Sequence, residues 1–175
     1  MAKFLEQLGR TEMESTEHIG RKHQQWQGLT LAQYVKIRNG VPLGDSKALR
    51  NMLARSFGAG TFAEFWQYWN PIWGYYLGKR IYSPLVRIVP AALALILTFG
   101  ASGLIHDLVT MGVSRSITFF FTPWFFFLGI GVALGRAFKI DYSSQSWLVR
   151  ASINFTYLLI GILLTVVTKQ VFSIP

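Results

Sequence analysis

The feature that most constrains this chain is a charge-poor second half holding three uncharged apolar runs, at residues 88–106, 116–135 and 151–168. Each is about as long as the roughly 20 residues a helix needs to cross a bilayer core, and each is rich in Leu, Ile, Phe and Val. A helix satisfies every backbone hydrogen bond internally, which makes it one of the two structures that lipid tolerates. Residues 88–175 carry only five basic and two acidic side chains, far below the roughly one quarter charged content of an ordinary soluble domain. The expected fold is therefore an all-α integral membrane protein. About three transmembrane helices are expected in residues 86–175. No cleavable signal peptide is expected ahead of them, because the first apolar run starts far from the N-terminus.

Charge sets the expected orientation. With three spans, the N-terminal arm and the loop between Arg136 and Arg150 share one face and hold fifteen basic residues, whereas the other face has only Arg115 and Lys169. The positive-inside rule puts the arm in the cytoplasm, and Lys79, Arg80 and Arg87 near the first span agree. A bacterial inner membrane is the expected location. The net charge of +9 is read as attraction to anionic lipid headgroups, not to nucleic acid. Lacking cysteine, the chain has no disulfide framework or thiolate metal site, and no P-loop, dinucleotide fingerprint, EF-hand or HExxH motif occurs. No metal is expected.

Residues 1–58 read as a basic amphipathic arm. His18 and His23 are five apart, outside the i,i+3 or i,i+4 spacing of a helical metal pair, and are read as solvated. Thr30-Leu31-Ala32-Gln33 fits a capping box, and Gly40 with Pro42 ends that helix. Asp45 or Ser46 should cap a second helix through Leu49, Met52, Leu53 and Ser56, with Lys47, Arg50 and Arg55 on its other faces. Such a helix suits the bilayer surface.

Residues 59–85 read as aromatic interfacial helices. Phe62, Phe65, Trp66, Trp69, Ile72, Trp73 and Tyr76 recur at three- and four-residue steps, giving one aromatic face expected at the headgroup level. Asn70 before Pro71 suits an N-cap with proline at the first helical position, and Ser83-Pro84 repeats the device before the first span. His106 is the one histidine in an apolar run. Ionisable groups at membrane depth are costly, so it is a functional candidate, although nineteen residues of helix from Arg87 extend about 28 Å and would carry it near the far interface. Asp107 is read as the polar end of that span. In the second span Pro123 is expected to kink the helix, the Phe119–121 and Phe125–127 runs read as lipid-facing or packing bulk, and Gly131 with Gly135 forms a small-xxx-small pattern for helix association. Asn154 and Thr156 are polar candidates in the third.

The order of Phe65-Trp66, Trp69-Asn70-Pro71, then Tyr82-Ser83-Pro84-Leu85, then Ser102-Gly103-Leu104-Ile105-His106 resembles the membrane-bound O-acyltransferase family over about residues 55–110. The resemblance implies a membrane enzyme with a tunnel, using the histidine as general base on an acceptor hydroxyl and the asparagine as a polar helper. It makes His106 and Asn70 the catalytic candidates and Trp66, Trp69, Trp73 and Ser102 the substrate-binding ones. It implies an acyl thioester such as acyl-CoA as co-substrate and no tightly bound cofactor. Family members generally have many more spans, so the missing tunnel wall would come from further copies of the chain or from a larger membrane complex. The alternative is a non-catalytic membrane subunit of that lineage.

Overall fold

The structure, a computed structural model, describes residues 28–115 and 117–172; His18 and His23 lie outside them. Among the described residues every regular element is helical. The arm forms α1 (Leu31–Asn39) and α2 (Ala48–Phe57), followed by two seven-residue helices, α3 (Phe62–Tyr68) and α4 (Pro71–Leu77). A π-helical turn (Gly78–Tyr82) and one α turn (Ser83–Leu85) prolong α4, and three long helices follow: α5 (Ala91–Ser114), α6 (Phe121–Ala137) and α7 (Trp147–Phe172).

The capping box at Thr30 forms in full, with Gln33 N–H donating to the Thr30 hydroxyl and Thr30 N–H to the Gln33 side chain. Gly40 then ends α1 at φ 79°. The start of α2 differs in detail: Lys47 is the N-cap residue, while the Asp45 carboxylate accepts the Lys47 N–H at 2.7 Å. Ser83-Pro84 does not open the first long helix. Its serine hydroxyl donates to the Gly78 carbonyl inside the π turn, and proline, which has no N–H to give, falls in the short α turn that follows. Pro90 precedes the true start at Ala91.

Two helices, α5 and α7, are long and apolar enough to cross a membrane. At 17 residues α6 is shorter, about 25 Å. It begins five residues later than the uncharged run because Asp107, buried on α5, fixes its start. Asp107 accepts the backbone N–H groups of Phe120 (3.0 Å) and Phe121 (2.8 Å) through one oxygen, and the N–H and hydroxyl of Thr122 (2.7 and 2.6 Å) through the other. Pro123 has no N–H, and Trp124 N–H already reaches the Phe120 carbonyl. The free donors of the first turn are thus fully accounted for. Pro123 belongs to this first turn, where a missing donor costs nothing, so it does not act as a mid-helix kink.

Close approach of backbones completes the hairpin of α5 and α6. A Cβ on Gly103 would lie 2.4 Å from the Phe121 carbonyl oxygen, and one on Gly129 would lie 2.9 Å from Phe99 Cβ. The antiparallel crossing therefore needs glycine at 103 and 129. Gly161 does the same for α7 against Leu128 and Trp124 of α6. Gly131 of the small-xxx-small pattern already faces Phe62 and Tyr157 within the chain, while Gly135 has open space around it.

The aromatic face of α3 is turned into the protein. Phe62 and Phe65 are buried with Leu95, Leu128 and Val132, and Phe62 stacks on Tyr157 of α7 with ring centroids 4.4 Å apart. An aromatic stripe can be covered by protein as well as by headgroups, and periodicity does not distinguish the two. Ile72 and Tyr76 of α4 do remain exposed.

A second polar knot ties the arm to α7. Asn154, wholly buried, donates to the carbonyls of Phe57 and Ala59 at 3.0 Å each and accepts the Tyr142 hydroxyl at 2.6 Å. Tyr142 N–H reaches the Gly60 carbonyl, and the Trp147 indole donates to the Ala54 carbonyl. Of the two polar candidates in this helix, Asn154 therefore bonds across elements. Thr156 only returns its hydroxyl to the Ser152 carbonyl.

Two expectations follow for stability. Asp107→Asn replaces one accepting oxygen by a donor facing donors, and should lower stability by about 3 kcal/mol in thermal unfolding of the detergent-solubilised protein. Burial pushes the Tyr142 phenol above its ordinary range, with Tyr157, Glu64 and Asp141 adding to it. The folded state then holds this proton more tightly than the unfolded one. That contribution is complete below about pH 10 and is lost as pH rises past it. Tyr142→Phe should cost about 1 kcal/mol at neutral pH and flatten the alkaline loss.

Candidate functional site

His106 lies eight residues before the end of α5, not at the tip of the helix. The residues at i−4 and i+1 explain its setting: Ser102 shares its face one turn earlier, and Asp107 turns aside to cap α6. Histidine Nδ1 stands 2.7 Å from the Ser102 carbonyl oxygen. A carbonyl can only accept, so Nδ1 carries the hydrogen, and in the neutral ring the lone pair is on Nε2. Among the described residues Nε2 has no hydrogen-bond partner.

Three rings enclose the imidazole. Phe125 stacks on it at 5.1 Å, Phe121 lies tilted at 5.6 Å, and Trp73 meets it edge-on at 5.7 Å. The Trp73 indole N–H donates to the Ser102 hydroxyl at 2.8 Å, and Ser102 is buried. Trp73, Ser102 and His106 thus form one contiguous group joining α4 to α5.

Asn70 starts α4 as its sequence suggests, accepting the Trp73 N–H at 3.2 Å. Its backbone is left-handed, at φ 41°, a conformation asparagine tolerates better than most residues, and its side chain is exposed. The asparagine therefore sets the helix turn that presents Trp73 to His106. Trp66 and Trp69 sit one layer away. Trp69 stacks on Phe65 at 5.5 Å, while Trp66 packs edge-on against Phe99 at 5.0 Å and tilted against Phe125 at 5.8 Å. Phe125 is consequently shared by Trp66 and His106. The Trp66 indole nitrogen is buried and, among the described residues, has no hydrogen-bond partner.

Of the six candidates, then, Trp73, Ser102 and His106 are in mutual contact, Asn70 touches the group through Trp73, and Trp66 reaches it through Phe125. Trp69 stays with Phe57 and Phe65. Sequence reasoning missed Phe121 and Phe125 as walls of the histidine site. Their runs of phenylalanine read as bulk, and only the register imposed by the Asp107 cap turns these two rings toward His106. Among the described residues no group of three His, Asp, Glu or Cys side chains could hold a metal ion.

No family model, no curated protein and no solved structure matches the chain.

The ring geometry has a direct readout. Nitrogen NMR of ring-labelled histidine in bicelles should show the His106 hydrogen on Nδ1. Phe125→Ala, which removes the stacked face, should broaden that signal while helix content by circular dichroism stays within a few per cent of the parent.

Proposed function

We propose that the chain is an O-acyltransferase, or one component of one, that moves an acyl group from a thioester such as acyl-CoA to a hydroxyl acceptor at His106. The observation that carries the reading is the convergence of Trp73, Ser102 and His106, because Trp73, two residues past the Trp69-Asn70-Pro71 segment, meets Ser102 and His106 of the second segment that resembles the membrane-bound O-acyltransferase family.

Imidazole is suited to the work because it takes and returns a proton near neutral pH. Nε2 of His106 removes the hydroxyl proton as the acceptor oxygen forms a bond to the acyl carbon. The carbon–sulfur bond breaks, and the leaving thiolate takes the proton back from Nε2. The Ser102 carbonyl holds Nδ1–H throughout and so keeps the basic lone pair directed away from the helix. Asn70 fixes the turn of α4, and its exposed amide is a donor for developing negative charge. The Trp66 indole N–H, without a partner among the described residues, is a buried donor for a bound oxygen. Trp69 stiffens the aromatic wall behind it.

The same reading places three spans in the bilayer, α6 included, with amphipathic arm helices on the cytoplasmic surface of a bacterial inner membrane. It is supported by the bonds from the arm to Tyr142 and Asn154. These hold the end of the arm beside the loop between α6 and α7, the two basic segments that the charge pattern assigns to one face. Membrane lipids surround the spans, and further copies or a larger complex complete the acyl tunnel.

The test is acyl transfer by membranes containing the full chain, with radiolabelled acyl-CoA and a panel of hydroxyl acceptors. His106→Ala should reduce transfer at least 100-fold while the protein inserts and unfolds like the parent. Asn70→Ala should reduce it about ten-fold. Transfer by the parent that His106→Ala leaves unchanged, or no transfer by the parent to any acceptor, would remove the catalytic assignment and favour the subunit reading.

A further inference from the structure

Away from His106, α2 and the first turn of α7 frame a groove of about 480 Å³ lined by Leu49, Arg50, Leu53, Ala54, Phe57 and Trp147. It is apolar except for one guanidinium. Trp147 is fixed as its wall by the bond from its indole to the Ala54 carbonyl, and a Cβ at Gly58 would strike that ring at 2.4 Å. Apolar side chains stand exposed here, Leu49 at 64% and Leu148 beside Trp147 at 71%. Among the described residues the lining holds no buried polar neighbour that could satisfy a peptide, whereas Arg50 of α2 and its N-cap residue Lys47 are both exposed. Trp147 also opens α7, one of the two helices long and apolar enough to cross a membrane. The groove therefore sits where such a helix leaves the hydrocarbon, the depth at which tryptophan is favoured.

We propose that this groove seats one anionic phospholipid, with the upper part of an acyl chain against Leu53, Phe57 and Trp147 and the phosphate against Arg50. Charge complementarity selects the occupant. The arm and neighbouring loop carry most of the chain's positive charge, and an anionic lipid supplies a net counter-charge, whereas in a zwitterionic lipid a cation cancels the phosphate and an apolar helix supplies none. Because the groove joins the arm to the start of α7, a seated lipid holds the two together from outside, opposite the Asn154 knot that holds them from within. The proposal rests on α7 crossing the membrane and is independent of the acyl-transfer reading.

The chain has no cysteine, so Leu53→Cys introduces a unique thiol at a partly exposed position, and Leu49→Cys a second at a more exposed one. Each full-length variant is labelled with benzophenone maleimide, reconstituted in vesicles of phosphatidylcholine with phosphatidylglycerol at three to one, irradiated and analysed by mass spectrometry. Circular dichroism before irradiation establishes that each variant is folded. Phosphatidylglycerol adducts should exceed the bilayer mole ratio about five-fold at either position, and adding Arg50→Gln should return them to that ratio. Lipid adducts in bilayer proportion with Arg50 intact would overturn the proposal. So would predominant cross-links to residues 1–27 or to a second copy of the chain, or an anionic preference that survives Arg50→Gln.

Discussion

One carboxylate sets the register of the helices around His106. Asp107 is 1% exposed and accepts four hydrogen bonds, all from the first turn of the next helix. A buried charge is tolerable only when its lone pairs are met, and a helix N-terminus is a ready source of donors with a favourable dipole. Fixing Phe121 as the first residue of α6 decides which faces follow. Phe121 and Phe125, one turn apart, turn to His106, while Gly129 meets Phe99 and Ile96. Were the start shifted by one residue, each face would rotate by about 100°, and the histidine would lose its stacked ring.

Gly103 is the steric counterpart of this electrostatic contact. It stands one turn before Asp107 on the same face of α5, and the backbone of Phe121 and Thr122 occupies the space where its side chain would be. The carboxylate can reach the donors only because nothing intervenes at position 103. The resemblance to an acyltransferase segment thus includes a glycine whose role here is packing, beside a histidine whose role would be chemical.

Much of this was legible in the sequence where the signal is local. The capping box at Thr30, the glycine end of α1 and the Asn70-Pro71 start of α4 are written in adjacent residues and occur as expected. The long apolar helices follow from composition, although their ends moved: α5 runs eight residues past His106, because the polar Asp107 is turned inward instead of marking the interface. What was not legible depends on residues far apart in the chain. Asp107 read as the polar end of a span and Asn154 as one of two polar candidates without a named partner; the partners of the first lie 13 to 15 positions away and those of the second 12, 95 and 97. The aromatic face of α3 was visible as a stripe, but whether protein or lipid covers it depends on where Tyr157 and Leu128 fall. Likewise Pro123 could be assigned to a helix start only once Asp107 was seen to supply that start.

The Asn154 knot has a consequence for biosynthesis. The carbonyls it holds, at Phe57 and Ala59, leave the ribosome almost a hundred residues before the asparagine is made. During that interval the arm has no partner for them except water, and its loop cannot take its final shape while the chain is still being translated. Closure waits until the asparagine of α7 has been made and brought beside them. A chain cut short before Asn154 would leave these two carbonyls without their amide donor and the segment around Phe57 more open to proteases.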